Sequence, residues 1–144
     1  MSLNPGGRRS KIVIGVDDEA DNLDMLGSLI EGAGFTFIGA SSGTECLSLV
    51  LRITPRLILL DIEMRPGMDG FETCRRLRKD MRLKPIPIVF LTGRKTGEDV
   101  KACIKAGGND FIVKPFDPVK LVDRVEYWMV RRVAATESQA EQDI

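Results

Sequence analysis

Four apolar stretches of this chain each end in a residue suited to handling phosphate or a metal. Ile12-Val13-Ile14-Gly15-Val16 runs into Asp17-Asp18, and Leu57-Ile58-Leu59-Leu60 into Asp61. Ile88-Val89-Phe90-Leu91 runs into Thr92, and Phe111-Ile112-Val113 into Lys114. All four read as buried strands. In an open parallel α/β sheet, ligands bind beyond the carboxyl ends of the strands. If the four strands share one sheet, three carboxylates, a hydroxyl and an ammonium meet there.

Such a set suits a magnesium-dependent phosphoryl acceptor. Like-charged groups ~4 Å apart cost about 4 kcal/mol per pair at an effective dielectric near 20. Three carboxylates at the rim of an apolar sheet therefore need a cation or a raised pKa. Magnesium prefers oxygen ligands, keeps several waters and bridges carboxylates to phosphate. Lys114 adds a point charge for a carboxylate or a phosphoryl oxygen, and the Thr92 hydroxyl adds a donor. Phosphoryl transfer asks for little beyond positioning and charge neutralisation. Asp61 is the best nucleophile candidate, because it alone ends an unbroken apolar run near the expected sheet centre. Its attack on phosphorus would give an acyl phosphate.

Each piece alone has a plainer reading. A single Asp after an apolar strand is commonly a helix cap or turn residue. Asp17-Asp18-Glu19 would complement a helix dipole, Thr92-Gly93 would make an ordinary turn, and Lys114-Pro115 would be a solvated strand end. Four strand ends with complementary chemistry, in order, resist that account.

Helical spacing supplies the elements between them. Leu23, Leu26, Ile30 and Ala33 mark one helix, stopped at Gly34. Cys46, Leu47, Val50 and Leu51 mark a second, ended by Thr54-Pro55. Phe71, Cys74, Leu77 and Arg78 mark a third, and Val100, Cys103 and Ile104 a fourth, closed by Gly107-Gly108. The last is expected over residues 117–132, with Leu121, Val125, Trp128 and Met129 on one face. Residues 35–38 partly alternate apolar with polar, as an edge strand does. Five strand-helix units argue for a parallel sheet covered on both faces. Residues 1–10 read as a disordered N-terminal arm, residues 11–132 as the domain, and residues 133–144 as a flexible C-terminal tail or truncated linker.

Composition narrows the function classes. The 144 residues carry 21 Lys plus Arg against 21 Asp plus Glu. That balance gives no general attraction to nucleic acid or an anionic membrane. No apolar run approaches the ~20 residues of a membrane span, and no secretory leader precedes Lys11. Cys46, Cys74 and Cys103 are odd in number and widely spaced, which argues against a disulfide framework or zinc site. A reduced, cytoplasmic protein is expected. With no histidine, the chain has no imidazole base, ligand or phosphohistidine.

The chain resembles the receiver (response regulator) domain of two-component phosphorelay signalling over about residues 11–132. The residues that carry the resemblance are Val16-Asp17-Asp18-Glu19, Leu59-Leu60-Asp61, Pro66-Gly67-Met68-Asp69-Gly70, Phe90-Leu91-Thr92-Gly93 and Gly107-Gly108-Asn109-Asp110-Phe111-Ile112-Val113-Lys114-Pro115-Phe116. It implies a flavodoxin-like doubly wound sheet of five parallel strands, order 2-1-3-4-5, with five helices on two faces. It makes Asp61 the phosphorylated residue. Asp18, Asp61 and the backbone carbonyl of Glu63 become ligands of Mg²⁺ (or Mn²⁺), with Asp17 beside them reaching the metal through water. Thr92 and Lys114 bind the phosphoryl group, Phe111 takes the switch-aromatic position, and Lys114-Pro115 is expected to be cis. The implied partners are a sensor histidine kinase or phosphotransfer protein, and a second copy through the fourth helix, fifth strand and fifth helix. No direct contact with nucleic acid or membrane is expected, nor turnover of an external substrate.

Two departures from the family pattern stand out. The loop Ile62-Glu63-Met64-Arg65-Pro66-Gly67-Met68-Asp69-Gly70 is longer by one residue, with Arg65 the extra one. Phe111 stands where Tyr is frequent, so any rotamer bias comes from packing. Glu63, Arg65 and Arg94 are expected at the site rim, where Glu63 and Arg94 would jointly slow dephosphorylation. Competing readings are a phosphorylation-independent receiver acting as an interaction module, a haloacid-dehalogenase-type phosphatase, and a flavin carrier. The phosphatase needs a second Asp where Glu63 stands. The flavin carrier needs a hydroxyl-rich loop where Asp17-Asp18-Glu19 would repel phosphate.

Overall fold

A computed structural model describes residues 10–64, 67–93 and 96–132. Residues 1–9 of the proposed arm, the tail from residue 133, and Arg65 and Arg94 fall outside the described residues. The element order is β1 (Ile12–Val16), α1 (Ala20–Gly32), β2 (Thr36–Ala40), α2 (Gly43–Leu49), β3 (Leu57–Asp61), α3 (Gly70–Arg78), a 3-10 turn (Met81–Leu83), β4 (Ile88–Thr92), α4 (Gly97–Ala106), β5 (Asp110–Val113) and α5 (Pro118–Met129). The strands form one parallel sheet in the order β2-β1-β3-β4-β5.

Period-two alternation sorts the core into two layers. Ile14, Val16, Ile58, Leu60, Ile88 and Phe90 face one side, where Cys46 of α2, Cys74 and Leu77 of α3, and Cys103 of α4 cover them. Val13, Leu57, Leu59, Val89 and Leu91 face the other, under Leu26 and Ile30 of α1 and Leu121, Val125 and Trp128 of α5. β3 and β4 are buried throughout because both faces are covered and both edges paired. Each such aliphatic side chain contributes roughly 1.5–3 kcal/mol. The three thiols are buried, and burial pushes those of Cys46 and Cys74 up to about 12.

Three expectations need correction. β5 is half-buried at every residue, because it is a sheet edge paired only with β4. α2 ends at Leu49 with Val50 as its C-cap, and Leu51 is 78% exposed rather than part of the buried stripe. α5 runs only from Pro118 to Met129. Asp117 caps it by accepting from the Val119 and Lys120 amides, and Pro118 supplies a preset φ at its start.

Arg78 closes the lower part of the fold. Its guanidinium donates to the carbonyls of Gly107 (2.9 Å), Leu83 (3.0 Å) and Ile86 (2.9 Å), and to Asn109 Oδ1 (2.8 Å). That Asn109 oxygen also accepts from the Ile88 amide at 2.9 Å. One side chain thus ties α3 to the segments before β4 and β5. Burial pulls the Arg78 pKa down, yet the ring of acceptors keeps the charge satisfied. Arg78→Leu is expected to lose about 2–4 kcal/mol in urea unfolding, because several buried acceptors lose a charged donor. A loss below about 1 kcal/mol would show that these acceptors find other partners.

Candidate functional site at the carboxyl ends of the strands

Register brings the strand ends together. Val16 pairs with Leu60, Asp61 with Leu91, and Thr92 with Val113, so Asp17, Asp61, Thr92 and Lys114 project from neighbouring strand termini. Lys114 Nζ lies 3.0 Å from Asp61 Oδ1 and 3.1 Å from Asp17 Oδ2. Asp17 is fully buried, Asp61 is 4% exposed and Thr92 is buried beside them. The Lys114 amide donates to the Thr92 carbonyl at 2.7 Å, which fixes the Lys114 backbone against β4. The Lys114–Pro115 peptide is cis.

The plainer cap readings do not describe these residues. Glu19 is the α1 N-cap without a side-chain cap bond, and Asp17 Oδ1 instead accepts from the Glu19 amide at 2.9 Å. Asp69, eight positions beyond Asp61, caps α3 by accepting from the Glu72 amide at 2.9 Å. Asp61 is left for the cluster.

Gly70 permits this placement. A Cβ there would collide with the Asp61 carbonyl oxygen and come within 2.8 Å of Ile62 Cα. The start of α3 can therefore lie against the backbone of the candidate nucleophile only without a side chain at that position. The Gly70 amide completes the contact by donating to the Ile62 carbonyl at 2.8 Å.

Burial dominates the electrostatics. It raises the Asp61 pKa from 3.8 to about 6; the Lys114 hydrogen bond opposes the rise and the Asp17 and Asp18 charges add to it. Burial alone would lower the Lys114 pKa, but the bonds and charges of Asp61 and Asp17 outweigh it and the net shift is upward. The ammonium is the counter-ion of this cluster.

Carboxylate oxygens of Asp17, Asp18 and Glu19 lie within 4.8 Å of one another. Asp17 is buried, while Asp18 and Glu19 are exposed at the rim. An all-oxygen set open to water on one side fits magnesium, which retains part of its hydration shell. Asp61 joins from β3 through the shared Lys114. Glu63 is exposed two residues past Asp61, and Phe111 is half-buried in β5 against the α2-α3-α4 layer.

Two polar contacts escaped the sequence reading, one at the site and one at the amino end of β5. Asn22 donates to Asp17 Oδ2 at 3.1 Å from the first turn of α1. Its spacing five residues after Asp17 was the available signal. Asp110 accepts from Arg124 (2.5 Å) and from Trp128 Nε1 (2.7 Å), joining β5 to α5. No local motif announces that pair.

An acidic cluster held by one lysine at the carboxyl ends of a parallel sheet of order β2-β1-β3-β4-β5 defines a recognisable class of domain. Residues 13–126 match the model of the response regulator receiver domain, and the chain belongs to that family. It is 41% identical over 117 residues to the DNA-binding response regulator MtrA of Mycobacterium tuberculosis, covering 81% of this chain and 49% of that protein. It is 35% identical over 130 residues to the phosphate regulon transcriptional regulatory protein PhoB of Pseudomonas aeruginosa, covering 90% and 56%. The chain thus spans about half the length of these curated relatives. Among solved structures it is similar to the Vibrio cholerae chemotaxis protein CheY4, with TM-score 0.78, 28% identity, and 83% and 98% of the two chains covered. A response regulator structure from Chloroflexus aurantiacus gives TM-score 0.80 at 33% identity, covering 85% and 100%.

The raised Asp61 pKa has a definite sign in stability. The folded protein holds that proton more tightly than the unfolded chain, so the associated stability is present in acid and lost as pH rises through about 6. With EDTA present, Asp61→Asn is expected to be more stable than the wild type by about 1–2 kcal/mol near pH 8, the gap narrowing as pH falls below about 6 and closing near pH 4. Urea unfolding across that range checks it. A gap independent of pH would assign the effect to something other than this carboxylate.

Proposed function

We propose that this protein is a phosphoacceptor signalling module in which Asp61 receives a phosphoryl group from the phosphohistidine of a sensor histidine kinase or phosphotransfer protein. The carrying observation is Lys114 Nζ, shared between Asp61 and buried Asp17 from three separate strand ends. An Asp61 oxygen forms the new P–O bond as the donor's P–N bond breaks. The electron pair stays on the imidazole nitrogen, which takes up a proton. Asp61 is mostly ionised above its pKa of about 6, so the nucleophilic form is available near neutrality.

The surrounding residues divide the remaining work. Magnesium, when bound, would supply positive charge that offsets the carboxylates and the incoming phosphoryl group. Asp18, Asp61 and the Glu63 carbonyl are its proposed ligands, with Asp17 beside them through water. Lys114 then turns from the Asp61 carboxylate to a phosphoryl oxygen, and the Thr92 hydroxyl donates to another. Phe111 follows Thr92 and alters the surface of α4, β5 and α5, where a second copy is a candidate partner. The change propagates only if the phosphoryl group interacts differently with the two states.

The proposed receiver unit covers residues 11–132 and acts in the cytoplasm. Among the described residues, no helix is long and apolar enough to cross a membrane. The DNA binding named for MtrA belongs to a protein of which this chain matches 49%, and the receiver unit is expected to make no direct nucleic-acid contact. The domain is read as a signalling component rather than an enzyme turning over an external substrate.

Acetyl phosphate or beryllofluoride with magnesium is expected to modify the wild type and leave Asp61→Asn unlabelled. Calorimetry is expected to give at least a tenfold weaker magnesium affinity for Asp18→Ala. Equal labelling of Asp61→Asn would remove the nucleophile assignment. A wild type that takes no label would favour the phosphorylation-independent module. Lys114→Ala is expected to stay folded and accept label without the change at α4-β5-α5, read by amide chemical shifts. Normal shifts in that variant would show that the switch does not run through Lys114.

A further inference from the structure

The net charge of zero hides a strong segregation. Residues 12–51 contain no lysine or arginine. Cations concentrate just beyond, in Arg52, Arg75, Arg76, Lys79, Arg82 and Lys84, with only Glu72 and Asp80 as carboxylates on the same stretch of α3 and the 3-10 turn. Arg75 and Arg76 both pair with Glu72, and Arg82 pairs with Asp80, so positive charge remains in excess.

Between the end of α2, α3 and the 3-10 turn lies a cleft of about 300 Å³. Leu47, Val50, Leu51, Leu77 and Leu83 line it together with Ser48, Arg76 and Asp80, the last already paired with Arg82. Leu51 is 78% exposed here and Met81, on the adjoining turn, 72% exposed. Arg82 holds the turn to the end of α2 by donating to the Val50 carbonyl and to Thr54 Oγ1. The apolar rim is therefore held in place while it faces solvent. Exposed apolar groups gathered around a concavity, with a charged border, mark interaction surfaces. The cleft sits toward the amino ends of β3 and β4, the pole opposite Asp61.

We propose that this cleft docks an acidic, amphipathic protein segment, its aliphatic side chains filling the floor and its carboxylates meeting the arginines. This goes beyond the phosphoacceptor reading and does not depend on it. Charge complementarity selects the acidic partner. The lining selects a peptide over nucleic acid, since no aromatic side chain is there to stack a base. Concavity selects it over a membrane, which would favour a projecting apolar face. The volume is at the bottom of the ~300–1,000 Å³ range of small-molecule sites, enough for one or two anchoring side chains. An amphipathic helix laid in a groove uses such anchors at helical spacing.

The test uses the full chain and a dye-labelled peptide of about sixteen residues, with leucines at helical spacing on one face and glutamates on the other. Fluorescence anisotropy is expected to show saturable binding that weakens several-fold as salt rises from about 0.05 to about 0.5 M. Leu51→Asp and Arg76→Glu should each weaken it at least tenfold while the thermal midpoint stays near wild type. Leu51 is solvent-exposed, so that variant keeps the test interpretable if Arg76→Glu disturbs α3. Absence of saturable binding, or equal binding by both variants, would overturn the proposal. Tighter binding of a short DNA duplex or of phosphatidylglycerol vesicles, lost in the same variants, would also overturn it and reassign the surface to a polyanion.

Discussion

Two carboxylates share one ammonium at the end of an apolar sheet, and the rest of the architecture follows from what that costs. Asp17 is fully buried and Asp61 nearly so, within the same hydrogen-bonded group. Burying either anion alone would be costly, and burying both without a counter-ion would add their repulsion. Lys114 offsets this only because its backbone is fixed by the Thr92 carbonyl at one end of a strand otherwise paired just once. The raised Asp61 pKa shows that the compensation is incomplete. The site keeps residual anionic tension, which a divalent cation would relieve.

The sheet order serves that constraint. Central β1, β3 and β4 are built from branched and aliphatic residues that close both core layers, so their termini have little freedom. Gly70 lets α3 press against the Asp61 backbone, and Asn22 steadies Asp17 from α1. Precision at the site comes from elements on both faces of the sheet, whose apolar stripes carry no chemistry themselves. The functional groups occupy the last strand residue or the first one past it, where the sheet supplies position and the loops supply access.

Central elements were readable in the sequence because their signals are local and unanimous. Continuous apolar runs gave β1, β3 and β4, and Gly107 closes α4 with φ 106°, as the glycine pair suggested. The misjudged elements are those whose burial depends on neighbours. β5 has the same apolar letters as a central strand but occupies an edge. Leu51 continues a helical stripe numerically, yet the chain leaves the helix at Val50 and turns Leu51 outward. Asp17, Asp61, Thr92 and Lys114 were visible as strand-end chemistry, whereas the Asp110–Arg124–Trp128 contact joins residues 14 and 18 positions apart and has no one-dimensional signature. The 3-10 turn is as short as a single turn and left no periodicity to detect.

Arg78 and Lys114 show how two enclosed cations can have opposite consequences. Arg78 is surrounded by carbonyl oxygens from two chain segments, whose partial charges do not change on phosphoryl transfer. Its fork geometry matches several acceptors at once, so it acts as a fastener. Lys114 is held by carboxylates on a flexible stem with three rotatable donors. Under the proposed reading, phosphorylation places new oxygens and added negative charge on one of those two carboxylates. The ammonium then has a reason to shift and the guanidinium has none. A switch needs this contrast between a group whose partners change and a frame whose partners do not. The frame fixed by Arg78 includes the loop that leads into β5, so under the proposed reading a shift of Lys114 would be taken up beyond β5 rather than in the segment before it.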